Sequence, residues 1–112
     1  MVSWSITYYN DAVIVAITGL STDLQARYIR ITERMLVDGA DLGMPYTKAM
    51  GQGLFEIRLK GRDNSARVFY CTMKGKRIVM LHCFIKKTQK TPRHELEIGM
   101  QRMREVRDAE SR

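Results

Sequence analysis

The chain has 112 residues, 45% of them apolar, which is enough for one domain with its own core and too short for two. No apolar run is long enough to span a bilayer, and the N-terminal MVSWSITYY has neither the basic start nor the long apolar stretch of a signal peptide, so a cytoplasmic, reduced location is expected. The net charge of +7 is unevenly placed: residues 46–94 hold twelve Lys/Arg against two Asp/Glu, while 1–45 hold three against five and 95–112 four against five, so the part fitted to a polyanion is the middle of the chain and not its ends.

In chain order, Ser3–Tyr9 alternates and is rich in β formers, and reads as an edge strand whose partner periodicity does not give. Asn10 and Asp11 supply side-chain oxygens for the first free amides of a short helix over Ala12–Ile17, ended near Gly19. Ser21 is placed to cap a second helix, in which Leu24, Tyr28, Ile31 and Met35 recur at helical spacing with Arg27, Arg30 and Arg34 largely on another face. That helix stops near Gly39, and the two make a helical hairpin over one sheet face. Asp41–Gly53, with three glycines and a proline, reads as a loop.

The stretch Leu54–Lys87 reads as three consecutive antiparallel strands. Phe55, Ile57 and Leu59 alternate with Glu56 and Arg58; Arg67–Met73 is rich in residues that suit a pleated surface; Ile78–Ile85 is almost wholly apolar and is expected to be the central, most buried strand. Turns fall at Gly61–Asn64 and at Lys74–Lys76. After a loop from Thr88, Thr91 as cap and Pro92 as first residue open a last helix with Leu96, Met100 and Met103 on one face. Glu95 and Glu97 stand near its start and Arg102, Arg104 and Arg107 toward its end, as the helix dipole favours, with fraying expected over Asp108–Arg112. The whole is a single domain over 1–112, an α+β fold of order β-α-α-β-β-β-α: a small antiparallel sheet with an N-terminal helical hairpin, a C-terminal helix, and the helices mainly on one face.

An antiparallel meander brings the end of one strand beside the start of the next, so Glu56, Arg58, Arg67, Lys86 and Lys87 converge on one sheet end. Exposed ion pairs are worth only about 0–1 kcal/mol, so stability gives little reason for such a cluster. Lys60, Arg62, Lys74, Lys76 and Arg77 in turns, and Lys90 in the following loop, suit contacts to RNA phosphates that weaken with salt. Cys71 and Cys83 have no metal-type spacing and read as small buried hydrophobes; His82 reads as a satisfied core histidine, and Phe69, Tyr70 and Phe84 as core. Neither a metal nor a cofactor is called for.

The stretches GLFEIRLKG, ARVFY and IVMLHCFIKKTQKTP, the last followed by a helix, closely resemble the RelE/ParE toxin superfamily, and in particular its phage-related, HigB-type toxins, over about Tyr8 to Val106. The resemblance implies the toxin of a type II toxin–antitoxin system: a ribosome-dependent mRNA endonuclease acting in the A site, blocked by a helix-turn-helix, HigA-like antitoxin. It implies that Arg67 stabilises the phosphate, that Lys87 with its neighbour Lys86 is the basic pair, that Glu56 is the candidate base and that Arg58 is a second clamp. Attack by a ribose 2′-OH on the adjacent phosphate needs a base, cations for the developing charge and an acid for the leaving oxygen. The final helix offers no matching tyrosine or histidine, so the acid is unassigned and His94 is the nearest candidate. A gyrase-directed toxin of the same fold without nuclease chemistry, and a basic module that only docks on nucleic acid, are the alternatives.

Overall fold

The structure is a computed structural model in which residues 3–111 are described; Met1, Val2 and Arg112, which the signal-peptide and fraying expectations include, lie outside the described residues. Ser5–Tyr8 forms β1. Asn10 then caps α1 (Asp11–Thr18), its side-chain oxygen accepting from the Val13 amide at 3.1 Å. α2 (Thr22–Asp38) buries the expected stripe of Leu24, Tyr28, Ile31 and Met35. Ser21 holds the cap position of α2 but not the cap bond: its hydroxyl donates to Asp23 at 2.6 Å instead.

The stretch expected to be an unbroken loop contains a strand, β2 (Thr47–Gly51), paired antiparallel with β3 (Leu54–Lys60). One of the glycines that signalled a loop, Gly53, forms the hairpin turn with Gln52: their φ values of 91° and 57° are what a tight two-residue turn between twisted strands requires. Thr-Lys-Ala-Met has little β preference of its own, so pairing with β3, not propensity, makes the strand.

β4 (Ser65–Met73) and β5 (Arg77–Lys86) complete the expected meander. The strand order is β1-β5-β4-β3-β2, with β1 parallel to β5, so the sheet is mixed and has five strands. The central strand is β4, not β5 as its apolar run led one to expect; β4 is buried from Ala66 to Cys71. The charge of Arg67 disguises this in the sequence, because a buried cation interrupts the apolar run a central strand otherwise shows.

α3 (Arg93–Glu110) begins one residue later than expected, with Pro92 as the capping residue, and runs unbroken to Glu110. It also takes the opposite face of the sheet. One core lies between the sheet and α1/α2, where Val13, Ile17, Leu24, Tyr28, Ile31 and Met35 meet Ile57, Leu59, Val68, Tyr70, Ile78 and Met80. The other lies under α3, where Leu96, Met100 and Met103 meet Leu54, Phe69, Cys71, Val79, Leu81 and Phe84. Both faces of β3 and β4 carry apolar residues, so both need a cover. α3 approaches closely through Gly99, where a Cβ would stand 2.7 Å from the Phe69 ring.

One irregularity in β5 sets which of its side chains share a face. Phe69 pairs with His82 and Tyr70 with Met80, which leaves Leu81 as an extra residue in β5, a bulge. The carbonyl of Leu81 accepts from the Arg102 guanidinium of α3 at 2.7 Å, and that guanidinium lies over the Tyr9 ring at 4.7 Å. Before the bulge Val79 and Leu81 face α3; after it Phe84 does, and Lys86, two residues on, shares its side.

Candidate active site

α3 covers only part of its sheet face. Beyond its start, the ends of β3, β4 and β5 and the loop 87–92 enclose an open hollow of about 520 Å³ lined by Arg58, Ser65, Arg67, Lys86, Lys87, Thr88 and Gln89. Register puts the charges together: Arg58 lies directly across from Arg67, and Lys86 across from Ser65. Two like charges side by side on neighbouring strands repel. Glu56, two residues before Arg58 and so on its side of the strand, offsets that repulsion. One of its oxygens accepts from Arg58 Nη1 at 2.9 Å, and the other lies 3.5 Å from Arg67 Nε.

Glu56 is 1% exposed and lies beneath the guanidinium groups. Its Oε1 and the Nε of Arg67 are buried without a hydrogen-bond partner, so the two attract by charge but are not locked. Arg67 is otherwise tethered by one bond from Nη1 to its neighbour's carbonyl, Ala66 O, at 3.0 Å. Burial pushes the Arg67 guanidinium down from its ordinary value, against the pull of Glu56, and the charge of Arg58 adds to the push. The Lys86 ammonium is likewise lowered, by burial first, then by the charge of Arg67. Three or four cations against one carboxylate form a site short of negative charge, ready for an anion.

The structure therefore gathers Glu56, Arg58, Arg67, Lys86 and Lys87. Lys86 lies on the face of the arginines because of the bulge, and Lys87 lines the rim from the first position after β5. Lys60 ends β3 across from Ser65, and Lys90 stands exposed in the 87–92 loop, both at this end of the sheet. Arg62 lies in the β3–β4 turn, its amide bonded to Asp23 at 2.8 Å. Lys76 and Arg77 are not brought here. Lys76 lies in the turn before β5 and Arg77 begins that strand, which then runs its 10 residues to Lys86, a span of roughly 30 Å, and Arg77 pairs with Glu110 at the end of α3. His94 is exposed in the first turn of α3 and is no part of the lining.

Ser65, Thr88 and Gln89 line the hollow without having been singled out from the sequence. Their signal was position alone, opposite or just after the Lys86–Lys87 pair. His82 is bonded to Glu95 at 3.2 Å and stacked on Phe84, as a satisfied core histidine would be. Cys71 and Cys83 are buried in different cores, and burial raises both thiols, Cys83 to about 12.

A five-stranded sheet with this helix arrangement is compatible with the RelE-like fold class. The sequence matches the family described as phage-derived protein Gp49-like (DUF891) over residues 16–104. The chain belongs to that family, whose members are toxins related to toxin–antitoxin systems within the RelE/ParE-like superfamily. The family implies an antitoxin partner, and its type is generally nucleolytic. No individual curated protein matches the chain. Among the described residues, no helix is long and apolar enough to cross a membrane.

Proposed function

We propose that this protein is a HigB-type toxin that cleaves mRNA on the ribosome, in the cytoplasm, and that its antitoxin is of the helix-turn-helix, HigA-like kind. The observation that carries the reading is the hollow itself: Arg58, Arg67, Lys86 and Lys87 converge on one open space with a single, buried carboxylate among them.

In this reading Arg67 and Arg58 hold the scissile phosphate and stabilise the charge that builds on it. Glu56, expected from the resemblance to be the base, reaches the hollow only through the two arginines it anchors, and its part is to position them. Lys86 is better placed for proton transfer, because its lowered pKa raises the share of neutral amine at working pH. The neutral amine takes the 2′-OH proton, the 2′-oxygen bonds to phosphorus, the bond from phosphorus to the 5′-oxygen breaks, and the Lys87 ammonium protonates the departing oxygen. The products are a 2′,3′-cyclic phosphate and a 5′-hydroxyl end.

The test expresses the wild type and Arg67→Ala in cells and maps mRNA ends. Cuts inside translated codons, ending in cyclic phosphate and absent from the variant, are the expected result. Intact mRNA with gyrase-linked DNA breaks would replace this reading with gyrase poisoning, and intact mRNA and DNA would leave a docking module.

A further inference from the structure

A second basic recess lies at the outer edge of β3. It encloses about 280 Å³ and is lined by Arg27, Arg30, Ile31, Pro45, Tyr46, Arg58 and Lys60. Its lining carries four cations and no carboxylate. Arg27 and Arg30, three apart, share a face of α2 and are exposed, and among the described residues neither they nor Lys60 has a carboxylate within ion-pair distance. Tyr46 is 39% exposed, and the Arg34 guanidinium sits over its ring at 5.1 Å. β2 begins only at Thr47, so beyond the bond from the Arg58 amide to the Tyr46 carbonyl, at 2.8 Å, β3 has no strand neighbour on this side among the described residues. Arg58 therefore forms a wall of both the hollow and this recess.

Three cations without an ion-pair partner among the described residues, with Arg58 and an exposed aromatic ring beside them, are the equipment for a nucleotide: a phosphate for the guanidinium groups and a base face for the tyrosine. We propose that this recess is a second subsite for the same RNA strand, taking a phosphate next along the chain from the one in the hollow. The strand passes around the β3 edge over Arg58, with Arg27, Arg30 and Lys60 on its backbone and Tyr46 beside a base. The inference rests on the RNA-cleaving reading of the hollow and extends it to residues of α2 that were read only as a charged outer face.

The test measures anisotropy of fluorescein-labelled, non-cleavable 2′-O-methyl RNA of two and of six nucleotides, against the wild type, Arg27→Gln/Arg30→Gln and Arg67→Gln. Both α2 side chains are exposed, and melting curves matching the wild type verify the fold of that variant. Expected is a loss of about tenfold or more for the six-nucleotide probe in the α2 variant. Its salt slope should be smaller by about 0.7 for each phosphate contact removed, and its affinity for the dinucleotide unchanged. Equal six-nucleotide affinity in wild type and α2 variant overturns the subsite, and so does normal RNA binding with lost affinity for the antitoxin, which would assign the recess to a protein segment. Failure of the underlying reading looks different: Arg67→Gln then binds both probes like the wild type, and the wild type leaves cellular mRNA intact.

Discussion

At the scale of the residue, the lysine pair carries the sharpest consequence. Lys86 carries its charge in a setting that penalises it, through burial and the neighbouring Arg67. Its folded pKa lies below the unfolded one, so between the two values the unfolded chain binds more protons and stability rises with pH; below both, the whole penalty stands. Lys86→Met should therefore raise the melting temperature of the free protein, by a few degrees at most for a chain of this size, while abolishing RNA cleavage. Calorimetry at pH 7 beside a cleavage assay checks both. In the wild type, single-turnover cleavage should climb with pH and level off below the ordinary lysine value. A flat profile would remove Lys86 from proton transfer. The identities of these side chains were legible in the sequence, because strand pairing alone gathered them. The ranking of Lys86 over Lys87 was not, since it depends on a bulge that no periodicity announces, and neither was the burial of Glu56, which depends on how two guanidinium groups lie.

At the scale of the element, α3 fixes both where the hollow ends and how β5 is phased. Its closest approach is at Gly99, where any side chain meets Phe69 at 2.7 Å by its first carbon. Phe69 is fully buried in the central strand and cannot yield without disturbing the α3 core. Gly99→Ala gains helix propensity worth roughly 1 kcal/mol but overpacks, at a cost of about 1–3 kcal/mol. The expected outcome is a net loss of stability in urea, where a stabilised protein would show that α3 is held elsewhere. Element by element, the sequence spoke clearly where periodicity and capping agreed, as in α1, α2 and the meander. It was silent where tertiary pairing overruled propensity, as in β2, and misleading where a buried charge interrupted an apolar run, as in β4. The face chosen by α3 was hidden because an amphipathic helix fits either side of a sheet whose strands are apolar on both.

At the scale of the whole molecule, the charge of the middle segment is an unfinished arrangement. The hollow and the recess at the β3 edge together hold more cations than the single carboxylate of Glu56 offsets, and mutual repulsion among them weakens the folded state. An anion that binds only the folded chain should stabilise it by about 2.7 kcal/mol at a hundredfold excess over its dissociation constant. Millimolar pyrophosphate should raise the melting temperature well beyond sodium chloride of equal ionic strength, and Arg67→Ala should lose most of that increment. Equal shifts from the two salts would mean general screening and no built anion site.

The bulge at Leu81 has one further consequence, for tolerance to mutation. A strand is a parity counter: each side chain is assigned to one face or the other by whether its position is odd or even, and one extra residue reverses the assignment of everything after it. Two adjacent lysines at the end of β5 soften that reversal. If a substitution let β5 pair without the bulge, keeping all its residues, Ile85 would take the place opposite Ser65 and Lys86 would turn away, but Lys87 would turn to the side of the arginines two positions further along the strand.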